Sequence, residues 1–222
     1  WEVGAEVYTV AYDEPGVMEQ TGLMTGIRGA YAYHDRWMLK AELRLAQGRV
    51  DYNSSRSGSI SGIEDVALEA RALAGWDFRL TEAAAMTVFS GFGYRYLEDD
   101  SGGKRSSTGA LGYKRESSYC YSPVGIEAAA LLAGRWRLTF LAEYDHFWKG
   151  RQKSRLSDVD PGIGDLTNNQ NSGYGLRAAL GLGYRFDWGL IRVQPFVRYW
   201  DIGDSERTDV IVDGSVVGVG RE

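Results

Sequence analysis

The stretch Asp65-Val-Ala-Leu-Glu-Ala-Arg-Ala-Leu-Ala-Gly-Trp-Asp-Phe-Arg-Leu80 decides the fold. One parity carries Val66, Leu68, Ala70, Ala72, Ala74, Trp76, Phe78 and Leu80, and the other carries Glu69, Arg71, Leu73, Gly75, Asp77 and Arg79. Successive residues of a strand point to opposite faces, so this is a strand with one apolar and one polar face. A helix would gather Glu69, Leu73 and Asp77 on one side and mix the two classes.

The same period runs outward in both directions. Trp37 to Leu45 sets Trp37, Leu39, Ala41, Leu43 and Leu45 against Lys40, Glu42 and Arg44. Trp136 to Trp148 sets Trp136, Leu138, Phe140, Ala142 and Tyr144 against Thr139, Glu143 and Asp145. Tyr174 to Phe186 sets Tyr174, Leu176, Ala178, Leu180, Leu182, Tyr184 and Phe186 against Arg177, Arg185 and three glycines. Ile191, Val193, Val197 and Tyr199 oppose Arg192, Gln194 and Arg198, while Val3–Ala11, Leu23–Tyr33, Met86–Tyr96 and Val124–Leu132 follow more weakly. Nine strands are expected, near 2–13, 21–34, 36–49, 65–80, 83–97, 116–133, 135–149, 173–187 and 189–202. At roughly 12 to 18 residues they far exceed the usual strand of about 5–6. A tilted strand crossing a bilayer needs about 9–11 residues plus length beyond it.

The connections alternate too. His34–Asp35, Leu80–Glu82, Gly134–Arg135 and Asp187–Gly189 are tight, whereas Gly48–Glu64, Glu98–Glu116 and Gly150–Ser172 are long and polar. Short turns at one end and long loops at the other characterise transmembrane barrels. On the apolar parity, Tyr31, Tyr33, Trp37, Trp76, Phe78, Trp136, Tyr184 and Phe186 fall at the short-turn end. Tyr94, Tyr96, Tyr144, Trp148, Tyr174 and Tyr199 fall at the long-loop end. Two such belts match the interfacial girdles of membrane barrels. The competing fold is a soluble β-sandwich, which would bury the apolar parity and expose the charged one.

Composition agrees with a folded, non-nucleic-acid-binding chain. Of 222 residues, 29 are Gly, 14 Tyr and 7 Trp, too aromatic for disorder, and the net charge of −5 offers nothing to nucleic acid. A single Cys excludes a disulfide framework and a multi-cysteine metal site. No apolar run approaches the length of a transmembrane helix. The start carries no charged-then-apolar leader, so an exported form would be the mature one.

An odd strand number is at variance with the even number of single-chain bacterial barrels, so a tenth strand is expected that this chain lacks. Val210–Val219 reads as a hairpin turning at Asp213–Gly214 within a loop spanning 201–222. The alternative makes 210–220 the tenth strand itself.

Three stretches carry a family resemblance: Tyr12-Asp-Glu-Pro-Gly-Val-Met18, Tyr119-Cys-Tyr-Ser-Pro-Val-Gly-Ile-Glu127 and Asp165-Leu-Thr-Asn-Asn-Gln-Asn-Ser-Gly-Tyr-Gly-Leu-Arg177. They resemble the small, porin-like outer-membrane β-barrel proteins of Gram-negative bacteria. The resemblance implies one domain over 1–222, an up-and-down barrel, and a multi-pass position in the outer membrane. It brings no catalytic residue and no cofactor. These barrel chains usually finish on an aromatic residue, which this one does not.

With the apolar parity toward lipid, the lumen receives Glu6, Arg28, Lys40, Glu42, Arg44, Glu69, Arg71, Asp77, Glu127, Glu143, Asp145, Arg177, Arg185, Arg192 and Arg198. Mixed signs between glycines can pair into a plugged core, or line a narrow pore. The interface aromatics are Trp37, Trp76, Trp136, Tyr184 and Phe186 at one belt and Tyr94, Tyr96, Tyr144, Trp148 and Tyr199 at the other. Enzyme signals are weak: His34 lies in a tight turn, and Asp145 and His146 are adjacent and so face opposite ways. Asp158-Val-Asp-Pro-Gly-Ile-Gly-Asp165 is a loose calcium-type loop without the spacing of a known one, and reads foremost as a solvated loop. Lys149, Arg151, Lys153 and Arg155 would meet lipopolysaccharide phosphates, or simply water. The expected role is structural or surface-interacting, through loops 48–64, 98–116, 150–172 and 201–222, with outer-membrane lipid, lipopolysaccharide and a protein bound by the loops as partners. A narrow channel for small polar solutes is the alternative, and an outer-leaflet hydrolase a remote one.

Overall fold

Alternation sustained over so many residues builds strands too long for a small sandwich, and the computed structural model, which describes residues 1–212 and 215–220, contains them. The strands are β1 (Glu2–Glu14), β2 (Met18–His34), β3 (Trp37–Ser54), β4 (Gly58–Arg79), β5 (Ala84–Asp100), β6 (Lys114–Leu131) and β7 (Trp136–Ser154). They continue as β8 (Leu166–Gln170), β9 (Gly173–Arg185), β10 (Leu190–Val193), β11 (Phe196–Ile202), β12 (Thr208–Val212) and β13 (Ser215–Gly220). Each pairs antiparallel with its neighbour along the path β1 to β7, then β9 and β10, with β8 beside β7 and β11 beside β9. The result is an up-and-down antiparallel sheet curled into a half-barrel. Among the described residues no helix is long and apolar enough to cross a membrane.

Proline explains the split last strand. Val193 sits opposite Leu182 and Phe196 opposite Ala179, a continuous register, so β10 and β11 are one strand interrupted where Pro195 has no N–H to donate. A second irregularity lies between β6 and β7. Cys120 pairs with Lys149 but Tyr121 pairs with Phe147, which leaves Trp148 as an extra residue, a β-bulge. The bulge turns both Trp148 and Lys149 outward and buries Phe147.

Burial inverts the arrangement of a soluble sheet. The convex face exposes Val3, Val7, Leu23, Ile27, Leu43, Phe92, Leu180 and Val197, whereas Glu69, Arg71, Glu143, Asp145 and Gln152 are buried on the concave face. The main sheet is a single layer, which rules against the competing sandwich: among the described residues nothing packs against the apolar face, and the charged face is the enclosed one.

Strand ends differ from the sequence expectation wherever polar residues continue the ladder. The segment 48–64 is not an open loop. β3 and β4 run on through it as a hairpin, with Ser54 opposite Gly58. The loop expected over 98–116 shortens to 101–113, and the one over 150–172 is bracketed by the end of β7 and by β8. Hydrogen bonding between strands needs no apolar residues once both faces are wet, so polarity alone misplaces these boundaries. The reading of 210–220 as a barrel strand is also overturned: β12 and β13 pair with each other in a separate two-stranded sheet. The Asp213–Gly214 turn lies outside the described residues.

Among the described residues no backbone pairing joins β1 to β10–β11. Both run from the short-turn end to the loop end, and side chains alone bridge them. Arg192 donates to Glu2 at 2.6 Å, Arg28 donates to Gln194 at 2.9 Å, and the rings of Tyr8 and Phe196 lie 5.9 Å apart.

Candidate functional site

The concave face is filled in layers. Nearest the short turns, Met38, Leu73 and Phe89 form an apolar cluster with Leu141 against it. All three core residues sit on the inward parity, where the sequence reading looked for charges.

Above this cluster lies a knot of ions drawn from strands distant in sequence. Arg71 of β4 makes a bidentate contact with Glu143 of β7, at 3.0 and 2.6 Å, and its Nε lies 3.1 Å from Glu42 of β3. Lys40 lies 2.9 Å from Glu42 and 2.6 Å from Glu127. Arg177 lies 3.1 Å from Glu69 and 3.3 Å from Glu143. Arg198 of β11 and the Tyr121 hydroxyl both donate to Glu69. Glu69 thus receives two guanidinium groups and a phenol while only 4% exposed. A carboxylate is kept this deep only when opposite charges and donors surround it.

Glycine makes the room. A Cβ at Gly93 would lie 2.1 Å from Cζ of Tyr121, so the ring lies directly over the β5 backbone. At Gly175 a Cβ would meet Asp145 and Trp200 at 3.0 Å.

The remaining residues expected to face inward divide among other settings. Arg44 pairs with Glu6 and stacks over Tyr8 and Phe196, at 4.7 and 5.1 Å from their centroids. Arg192 reaches Glu2, and Arg28 lies 3.9 Å from the same carboxylate. Asp77 sits in the short-turn region, 2.8 Å from His34 Nδ1 and accepting from Thr87 at 2.6 Å, so His34 is exposed yet tied down. Arg185 stands exposed at the short-turn rim, without an ion pair among the described residues. Asp145 is fully buried, and neither carboxylate oxygen has a hydrogen-bond donor. His146 lies on the opposite, exposed face, edge-on to Trp148 at 4.7 Å.

The aromatic residues line the convex face at two levels. Trp37 is in register with Trp76, and Trp136 packs edge-on against Tyr184 at 5.0 Å, next to Phe186. At the loop end Tyr94, Tyr144, Trp148 and Tyr199 are exposed, whereas Tyr96 is half-buried with its hydroxyl donating to Glu98 and Glu116.

Along the seam bordered by β1, β10 and β11 runs a cavity of about 2170 Å³, from Glu2, Arg137, Arg185 and Trp188 at the short-turn end to Asp65, Asp99 and Asp201 at the loop end. Its loop-side wall carries Asp65, Arg95, Asp99, Arg115, Gln152 and Gln170. Arg115 lies 3.2 Å from Asp99, which also accepts from Gln20. Asp65 is in register with Asp99, beyond the loop-side aromatic belt. Burial, with Asp99 beside it, pushes the Asp65 carboxyl up to about 7. The sequence reading passed over Arg95, although it shares its parity with Gly91 and Gly93. Tyr121 and Trp200 also escaped it, because aromatic residues were assigned to the outer face.

The outer loops interlock. The loop 101–113 folds back over the β3–β4 hairpin, with Ser107 N donating to Ser59 O at 2.9 Å and Thr108 Oγ1 to Ser57 O at 2.8 Å. Lys114 N donates to Asp158 at 3.1 Å, Arg155 N donates to Lys114 O at 2.9 Å, and Gly164 N donates to Ile211 O at 2.9 Å. The three carboxylates of 158–165 go to separate partners: Asp158 to Lys114, Asp160 to Gly162 N, and Asp165 to Lys153 and Ser157. Among the described residues no group of three or more His, Cys, Asp or Glu converges as a metal site. Of the basic stretch, Lys153 pairs with Asp165 and Arg155 with Glu116, while Lys149 and Arg151 stand exposed on the convex face. The hydrogen-bonding Arg155 fork holds the Glu116 carboxyl below its ordinary range, and Lys114 does the same for Glu98.

No family model and no curated protein matches the chain.

Proposed function

We propose that this chain is an outer-membrane barrel protein of a Gram-negative bacterium that holds its lumen closed and acts at the cell surface through its interlocked loops. The observation that carries the reading is the inversion of the sheet, with leucine, valine and phenylalanine on the open convex face and ion pairs on the enclosed one. Water rewards the opposite arrangement, whereas hydrocarbon rewards this one. Belts of Trp and Tyr at both ends of the apolar band support it, and Lys149 and Arg151 beside Trp148 suit contact with lipopolysaccharide phosphates.

The stacked apolar cluster and ion knot favour a closed lumen over a pore. The cavity that runs past them along the seam favours the second reading, a narrow channel for small polar solutes. Reconstitution separates the two. The detergent-refolded chain should float with lipid vesicles, show a heat-modifiable gel shift and stay silent in a planar bilayer. Steady, charge-selective current steps would establish the channel. A monomer that stays dissolved without detergent would overturn the membrane reading.

A further inference from the structure

We propose that the loop-side end of the cavity is a binding site for a small zwitterion of the amino-acid type, its carboxylate held by Arg95 and its ammonium group by Asp65. Beside them on the wall, Asp99 and Arg115 pair with each other. Asp65 and Arg95 both line the cavity, both are half-buried, and neither has an oppositely charged group within 4.0 Å among the described residues. Asp145 is also unpaired, but it is sealed from the cavity beneath Gly175 and Trp200.

The register spaces the two charges. Glu69 is opposite Arg95 and Asp65 is opposite Asp99, so four residues of strand, about 13 Å at the backbone, separate them along the sheet. Between them the inward positions are Ala67 and Leu97, directly paired and both lining the cavity. Two unpaired opposite charges across a small apolar floor suit a short carbon chain with an acid at one end and an amine at the other.

The surroundings point each end the same way. Arg95 and Arg198 both lie over the Trp200 ring, 5.7 and 5.3 Å from its centroid, and of the two only Arg198 has a carboxylate partner among the described residues, Glu69. Trp200 Nε1 is buried without an acceptor. At the rim, Asp65 and Asp99 face one Arg115, so the rim is acidic. Gln170 lines the same cavity, is 7% exposed, and keeps its side-chain oxygen without a donor. With Asp65 ionised, a plain anion on Arg95 would leave Asp65 unneutralised, and a plain cation on Asp65 would leave Arg95 so. Only a ligand with both charges satisfies both groups, and Arg–carboxylate contacts add bidentate geometry.

Titration of Asp65 couples binding to pH. The groups facing it are Asp99 and Arg95 of β5, Arg115 of β6 and Tyr8 of β1. With its carboxyl raised to about 7, Asp65 is charged at pH 8 and largely protonated at pH 6, so an ammonium ligand binds better at pH 8.

The test is calorimetric titration of the full chain, refolded in a non-ionic detergent and a buffer free of zwitterions. The probes are β-alanine and its two halves, propionate and ethylammonium. β-Alanine should bind at least tenfold more tightly than either half, and more weakly at pH 6 than at pH 8. Asp65→Asn and Arg95→Gln should each weaken it tenfold or more while keeping the heat-modifiable shift. Should a variant fail to refold, the pH dependence and the half-ligand comparison on the unaltered chain still decide. Propionate binding as tightly as β-alanine, variants binding like the parent, or no heat with any probe would overturn the site. The inference rests on the closed-lumen reading only for the direction of entry. Binding together with channel currents overturns that reading and leaves the site, whereas silence without binding does the reverse.

Discussion

Replacing Glu69 by Gln is the sharpest perturbation of the ion knot. The carboxylate contacts Arg177, Arg198 and the Tyr121 hydroxyl while almost wholly buried. Gln keeps the volume and can still accept one or two of these bonds, but it leaves two buried guanidinium groups facing each other without their shared anion. Breaking a buried pair from one side costs about 3–5 kcal/mol, far more than the roughly 0–1 kcal/mol of a solvated pair. That is about two to three and a half powers of ten in the unfolding equilibrium. Urea titration of vesicle-embedded protein, followed by tryptophan fluorescence, reads it directly. The double replacement Glu69→Gln and Arg198→Met serves as control. It removes the charge together with the guanidinium that has no other carboxylate, leaves Arg177 its contact with Glu143 and the Tyr121 hydroxyl an acceptor, and should cost less than the single change. A single-variant loss under about 1 kcal/mol would show that water screens the knot, and the argument for a sealed lumen would fail.

Further outcomes follow from other parts of the sheet. Gly93→Ala places a methyl 2.1 Å from Tyr121 Cζ, and the overpacking should cost about 1–3 kcal/mol in the same titration. Leu180→Arg, at a position 52% exposed midway along β9, should cost about 2–4 kcal/mol if that face meets hydrocarbon, and no more than about 0.5 kcal/mol if it meets water. Glu116 has its carboxyl lowered from 4.5 by the hydrogen bond from Arg155. A depressed carboxyl contributes stability above its unfolded value and loses it as pH falls through the folded one. The protection of the Arg155 amide, whose N–H bonds to Lys114 O, measured against its intrinsic exchange rate at each pH, should therefore hold at pH 4.5 and fall only as pH drops through the lowered value.

The period-two pattern of residues such as Val66–Leu80 exposed the sheet because one face is apolar and the other is not. In 48–64 apolar residues are sparse, with Val50, Ile60 and Ile63 set among Ser and Gly, so there was little contrast to read and the β3–β4 hairpin went unseen. The inward face was legible as a set of charges but not as a network. Which carboxylate meets which guanidinium depends on curvature that brings β4 against β7 and β11, and strand pairing alone does not encode it. Met38, Leu73 and Phe89 were hidden by the assumption that apolar means outward. Arg95 was hidden by the weak pattern of its strand, where Gly91 and Gly93 blank the inner parity. The bulge did leave a trace: Phe147 and Trp148 are adjacent, and two large apolar residues in succession break strict alternation.

The edges of the sheet make the strongest demand on the membrane reading. Glu2–Arg192, Arg28–Gln194 and the Tyr8–Phe196 ring contact draw β1 and β10–β11 together, yet they satisfy no backbone group. In water such an edge is tolerable, since solvent completes its hydrogen bonds. In hydrocarbon each bare N–H or C=O costs several kcal/mol, so two strand edges left open would outweigh much of what the apolar face gains. Both edges run in one direction, and a strand antiparallel to each would complete both ladders and restore an even count. The inverted faces and the open seam are therefore one argument. If lipid surrounds the convex face, backbone pairing must cover the seam in the membrane.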